Sequence, residues 1–254
     1  RILDQADGLR RKRQQALALT DQFLRSTFLD LFGDAVQNDS LQTLPAGWHE
    51  TTVASLCSAK PYSCIGGPFG SDLTCSDYVV EPGVPVIRGL NLSTNSPFMW
   101  EGEFVYVSEA KANDLSRNMA YPGDILVSQR GARLAGQVAY IPSSAQFAKY
   151  VVSQSQMKIT PDESKVDPMY LVYYFRSPRA VRQMESRMSS TGVPHINLGI
   201  LREFPIALPP LKLQQQFARV RTQQGKLLAT NTSAAEKADA LFNSLVQRAF
   251  RGDL

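Results

Sequence analysis

Residues Pro122-Gly123-Asp124-Ile125-Leu126-Val127-Ser128-Gln129-Arg130-Gly131 read as a turn, a strand and a polar exit. Pro-Gly stops the preceding segment, the apolar run Ile125 to Val127 suits a pleated, buried position, and Gln129 and Arg130 follow just before another glycine. Outward from this segment the same pattern repeats. Strands are expected at Val84 to Ile87, Glu103 to Val107, Asp124 to Ser128, Gln137 to Ile141 and Val151 to Ile159, separated by Gly66-Gly67-Pro68, Pro82-Gly83, Pro122-Gly123 and Ser143-Ser144. Met169 to Met188, rich in Tyr, Met and Arg, is expected to form one or two helices broken near Pro178. Its tyrosines, Tyr170, Tyr173 and Tyr174, are read as helix core rather than as a stacking platform.

The two ends differ from this middle. From Ile2 to Phe32, apolar residues recur at Leu9, Ala16, Leu17, Phe23, Leu24, Phe28 and Leu31, which predicts an amphipathic helix ended by Gly33. After Pro209-Pro210, the positions Phe217, Val220, Gln224, Leu227, Asn231, Ala234, Ala238, Leu241 and Leu245 alternate steps of three and four, as in a heptad seam. That helix runs about 40 residues, roughly 60 Å at 1.5 Å per residue, and needs a partner. Placing Asp21 on Asp239 aligns Phe23 with Leu241, Ser26 with Ser244 and Phe32 with Phe250, an internal repeat. The expected fold class is therefore α/β (α+β): a globular domain over residues 38–208, between helices at 1–37 and 209–254 that form an antiparallel coiled-coil-like pair.

With 43% hydrophobic residues, 16 Gly, 15 Pro and 3 Cys in 254 residues, the composition excludes collagen-like, disulfide-scaffold and disordered classes. No apolar stretch reaches the roughly 18 residues of a membrane span, and no secretory leader is evident, so a soluble, cytoplasmic protein is expected. Cys57, Cys64 and Cys75 contain no C-x-x-C pair and are read as reduced structural thiols. The chain starts at Arg1 rather than Met, so its natural N-terminus is expected upstream.

Charge is unevenly placed. Residues 35–128 carry 4 basic and 10 acidic side chains, whereas residues 129–202 carry 10 basic and 4 acidic, a swing from −6 to +6. The basic half is expected to attract an acidic partner. The run Arg10-Arg11-Lys12-Arg13 is read as a solvated helix face.

Enzymatic motifs are incomplete. Glu163-Ser164-Lys165 and Glu109-Ala110-Lys111 each give the E-x-K half of a metal-dependent nuclease site, but neither has a second carboxylate on an adjacent strand. Gly67-Pro68-Phe69-Gly70-Ser71 is not G-x-G-x-x-G. His49 and His195 are the only histidines, and no G-x-S-x-G accompanies them. No cofactor and no metal are expected.

Read in order, Leu44-Pro45-Ala46-Gly47-Trp48, Gly67-Pro68-Phe69-Gly70-Ser71, Pro85 to Asn91, Gly123 to Gly131, Ser153-Gln154-Ser155, Pro194-His195-Ile196-Asn197 and Phe204 to Leu211 resemble the target recognition domains of type I restriction-modification specificity subunits. Ile2 to Asp7, the Arg10 to Arg13 run and Leu29 to Asp34 resemble that family's central helix, so the resemblance covers essentially the whole chain. One departure is that family members usually carry two recognition domains and two helices, whereas this chain has one domain between two helices.

The resemblance implies a non-catalytic reader of one half of a split double-stranded DNA target. It implies docked methyltransferase subunits, a restriction subunit reached indirectly, and a homodimer through the helices as one possible assembly. A self-contained DNA-modifying or DNA-cleaving enzyme is the alternative, and a coiled-coil scaffold without DNA a third. Side-chain chemistry on the expected loops nominates the contacts. Arg130 and Arg133 suit guanine or phosphate; Gln129, Gln154, Asn91 and Asn197 offer amides for adenine; Thr191 and His195 lie in a small polar loop.

Overall fold

The computed structural model describes residues 22–38, 43–80, 83–92, 96–130, 137–189 and 193–224, with Gly8, Gln15, Leu19 and Thr20 besides. The seam beyond Gln224, the C-terminal copy of the repeat, the Arg10 to Arg13 run, Arg133 and Thr191 lie outside the described residues.

In chain order, the helical stretch 22–32 (α1) is followed by α2 (Asp34–Gln37), β1 (His49–Thr52), α3 (Val53–Leu56), β2 (Cys64–Gly66), β3 (Tyr78–Val79), β4 (Val84–Ile87), β5 (Val105–Val107), α4 (Glu109–Asp114), β6 (Met119–Ala120), β7 (Ile125–Ser128), β8 (Val138–Tyr140), β9 (Tyr150–Val152), β10 (Gln156–Ile159), α5 (Pro168–Phe175), α6 (Pro178–Glu185), α7 (Leu198–Arg202), β11 (Pro205–Leu208) and the helical stretch 211–224 (α8). One sheet has the order β2-β10-β7-β8, a second β3-β5-β4-β9-β6, and β1 pairs with β11. Only β4 and β9 pair in parallel among the described strands.

β7 is buried on both faces, as its apolar run requires. Ile125 and Val127 point into the cluster beneath the helices, and Leu126 points the other way, against Ile87, Tyr150 and Val152 of the second sheet. The far face of that second sheet is covered by Ala112 of α4 and by Leu115. The layers are therefore helices, sheet, sheet, short helix.

The segment Val151 to Ile159, expected as one strand, is two. Gln156 N donates to Ser153 O at 3.1 Å, and the resulting turn carries the chain from β9 in one sheet to β10 in the other. The polar trio Ser153-Gln154-Ser155 is the local cause, since short hydroxyl and amide side chains favour turns over a buried ladder. The break near Pro178 does separate α5 from α6, with Asp167 and Ser177 capping their first turns.

Tyr170, Tyr173 and Tyr174 are core. Tyr170 donates its hydroxyl to Ala207 O, and Tyr174 accepts from Ala207 N at 3.1 Å, so α5 pins β11. Phe28 and Phe32 of α1 meet Phe217 of α8 at ring separations of 5.3 and 6.0 Å, and Phe217 lies 5.0 Å from Tyr173. The two terminal helices thus share one aromatic anchor on the domain. Gly33 closes α1 at φ 55°, a left-handed turn that glycine adopts without strain. No described helix is long and apolar enough to cross a membrane.

Candidate nucleic-acid interface

β7 delivers its last two residues to an edge where three chain segments converge. Gln129 N donates to Ser155 O at 2.8 Å, and Ile196 N donates to Gln129 O at 3.1 Å. Arg130 forms an isolated antiparallel bridge with His195. The His195 ring is fixed from its own loop: Nδ1 lies 2.7 Å from Ser189 Oγ and 3.2 Å from Val193 O.

Beside this junction opens a cleft of about 540 Å³ whose walls include Gly66, Phe69, Arg117, Gln129, Arg130 and Gln154. A second hollow, about 520 Å³, continues from it across Gly70 and Gln154 and is lined by Arg88, Ser153 and Ser155. The wall between them is the turn that follows β2, and it is held from three sides. A Cβ on Gly67 would stand 1.9 Å from Ser153 O, so only glycine lets these two backbones touch. Gly67 N donates to Gln156 O at 2.9 Å, and Asn118 Nδ2 donates to Gly66 O at 2.8 Å. Gln154 Nε2 donates to Gly70 O and to Leu73 O, the latter at 3.0 Å.

Of the expected contact residues, Gln129, Arg130 and Gln154 line the cleft and the bridge brings His195 to its edge. Gln154 uses its NH2 to hold the turn, which leaves its carbonyl oxygen as the group open to a ligand. Asn197 is exposed and caps α7, its Oδ1 accepting from Ile200 N at 2.9 Å. Asn91 corrects the expectation. It is fully buried, accepts from Arg88 N, and donates to Trp100 O at 3.0 Å and Gly102 O at 3.1 Å. An amide so satisfied closes a loop and has nothing left for a base.

The +6 segment also differs from its expected role. Eight of its ten cations have partners within the chain. Lys149 pairs with Glu109, Lys158 with buried Asp124, and Lys165 with Asp162. Arg176, Arg179, Arg182, Arg187 and Arg202 donate to backbone carbonyls of Ser96, Asn38, Gln37, Gln183 and Cys64. Arg130 remains as a described cleft cation from that segment, and its neighbour Arg117 comes from the net-acidic half. No local sequence signal marks Arg117, because packing rather than segment charge brings it to the cleft. Its guanidinium stacks 5.7 Å from the ring of Tyr62, a residue itself held at φ 60°.

Glu109, Lys111 and Lys165 of the two E-x-K segments are engaged in ion pairs. Lys111 pairs with Asp77 at 2.9 Å, Glu109 with Lys149, and Asp162 with Lys165. Among the described residues no three His, Cys, Asp or Glu side chains gather to hold an ion. Cys57, Cys64 and Cys75 are free thiols. A hydrogen bond from Cys57, together with Arg202, holds the Cys64 thiol below its ordinary pKa.

A family model for the type I restriction modification DNA specificity domain matches residues 81–236. A putative type I restriction enzyme MjaX specificity subunit of Methanocaldococcus jannaschii is 24% identical over 149 residues, 57% of this chain and 34% of that protein. The MjaVIII specificity subunit of the same organism is 24% identical over 102 residues, 40% of this chain and 24% of its own length. The chain therefore spans about a third or less of the curated relatives it matches. Among solved structures, the HsdS subunit of Thermoanaerobacter tengcongensis aligns with 100% of this chain and 58% of its own at 21% identity and a TM-score of 0.52. The type I S subunit of M. genitalium aligns with 97% and 59% at 13% identity and 0.53. A chain from a type I R-M system structure on complex assembly and conformational transition aligns with 99% and 57% at 19% identity and 0.55. At these identities the likeness is one of fold.

Proposed function

Because the chain belongs to the type I restriction modification DNA specificity family, we propose that it is a non-catalytic recognition component that reads one half of a split double-stranded DNA target. The observation that carries this reading is the cleft, whose lining gathers Gln129, Arg130, Arg117 and Gln154 from separate parts of the chain. Guanidinium forks and amides are the groups that match base edges in the major groove and phosphates beside them. Asn197, Arg133 and Thr191 complete the proposed set of DNA contacts, with His195 at the edge of the cleft.

In this reading residues 38–208 are the recognition domain, and 1–37 and 209–254 are helices that pair antiparallel as a coiled coil. The shared contact of Phe28 and Phe32 with Phe217 supports pairing at their domain-proximal ends. A helix of about 40 residues spans more than one DNA turn of about 34 Å, enough to fix the distance between two readers. Methyltransferase subunits dock along these helices, a restriction subunit joins through them, and the complex works in the cytoplasm without a cofactor of its own in this chain.

The test is co-expression with the cognate methyltransferase subunits, followed by sequencing of methylated genomic sites. A split motif that appears only when the chain is present supports the reading; an interrupted palindrome indicates two copies of this chain, and an asymmetric motif a second, different reader. Methyl transfer from labelled S-adenosylmethionine by the pure chain alone would overturn it in favour of a self-contained enzyme.

A further inference from the structure

Phe69 stands at the tip of the turn after β2 with 88% of its surface exposed, the second most exposed large apolar side chain among the described residues. Its neighbours explain why it cannot retreat. Pro68 is buried, Gly67 is pressed backbone to backbone against Ser153, Asp72 N donates to Phe69 O at 3.0 Å, and Gln154 and Asn118 grip the carbonyls on either side. A single exposed apolar side chain is ordinary by itself; what sets this ring apart is that it lines the cleft from so firmly held a segment. The surroundings of the ring say what it meets. Arg117 and Arg130 line the same cleft, and Asp72 is the one carboxylate among the described lining residues, so the ring projects from a surface that favours a polyanion.

We propose that Phe69 is an aromatic wedge that enters the base stack of the DNA held in the cleft. Apolar side chains inserted between base steps unstack them and kink the duplex, and a ring carried on a backbone already held in place loses less freedom on insertion. The proposal rests on the DNA-reading function above and adds to it a residue that senses how easily a given step opens, which is specificity through deformability rather than through hydrogen bonds.

The experiment uses the whole chain and the duplex that it enriches from a randomised library, with 2-aminopurine placed at successive positions. Wild-type binding should brighten the fluorophore at one step. Phe69→Ala should bind that duplex about tenfold or more weakly, a loss typical of a removed base–aromatic contact, and should abolish the brightening. Its unfolding midpoint should be unchanged, because the ring is exposed, and Phe69→Leu should recover part of both signals. Wild-type affinity in Phe69→Ala, or a bound wild-type complex that brightens at no position, would overturn the wedge while leaving DNA reading intact. A wild-type chain that binds no duplex even at low salt would contradict the reading on which the wedge rests.

Discussion

Arg130 and His195 face one another in an isolated antiparallel bridge, and this backbone contact, with the bond from Ile196 N to Gln129 O, joins the end of β7 to the loop leading into α7. Its consequence is that two side chains far apart in sequence share one edge. The neighbouring bonds from Gln129 to Ser155 and from Ile196 to Gln129 extend the junction to a third segment, so the cleft wall is built from main chain. A surface made this way can vary its side chains without losing its shape, which suits a reader of variable sequences.

Gly67→Ala should damage the cleft. The added methyl would lie 1.9 Å from the Ser153 carbonyl oxygen, so the turn between β9 and β10 must move, taking Gln154 and the partner of Gln129 with it. Overpacking of this kind costs about 1–3 kcal/mol. Denaturant unfolding should show that loss together with weakened DNA binding. Gly8→Ala, in a helical position with nothing within 4 Å, should be neutral or slightly stabilising.

Asp124→Ala should be among the more costly substitutions. Asp124 Oδ2 accepts from Tyr121 N at 2.8 Å and pairs with Lys158 at 3.2 Å, both side chains being almost wholly buried. Removing the carboxylate leaves an ammonium in the core, a loss of about 3–5 kcal/mol. The double replacement Asp124→Leu with Lys158→Met should recover much of it in urea unfolding; a single variant as stable as the parent would show that the pair contributes nothing.

Asp77 should titrate far below an ordinary carboxylate. The Thr74 amide, 2.7 Å away, and then Lys111 hold its pKa at about 2, so its capping contribution is complete above the unfolded value and is lost as pH falls through about 2. A carboxyl-detected NMR titration with a midpoint near 4 would contradict the cap.

Phe217→Ala should free α8 from the domain. The ring is fully buried against Phe28, Phe32 and Tyr173, and truncating such a side chain costs about 3–5 kcal/mol. Hydrogen exchange should then quicken in residues 211–224 ahead of β7; uniform protection would show that the helix is held elsewhere.

What the sequence made legible was periodic or punctuated. β4, β7 and β8 fall inside their expected segments, and α5 and α6 break at Pro178, because apolar runs and Pro-Gly turns act locally. The pairing of β1 with β11 was not legible: His49 to Thr52 is polar and half-exposed, and its partner lies at the other end of the domain. The cleft is unevenly legible for the same reason. Arg130 and Gln129 were evident from the glycine and strand beside them, whereas the burial of Asn91 and the arrival of Arg117 are decided by tertiary packing that residue type does not carry.

The most direct measurement of the central claim is the salt dependence of duplex DNA binding by the whole chain and by the double variant Arg117→Ala, Arg130→Ala. For phosphate contacts, each arginine lost should reduce the slope of log K against log salt by about 0.9, so the variant should bind more weakly with a slope smaller by about 1.8. Equal slopes and equal affinities in a folded variant would contradict the placement of DNA in this cleft.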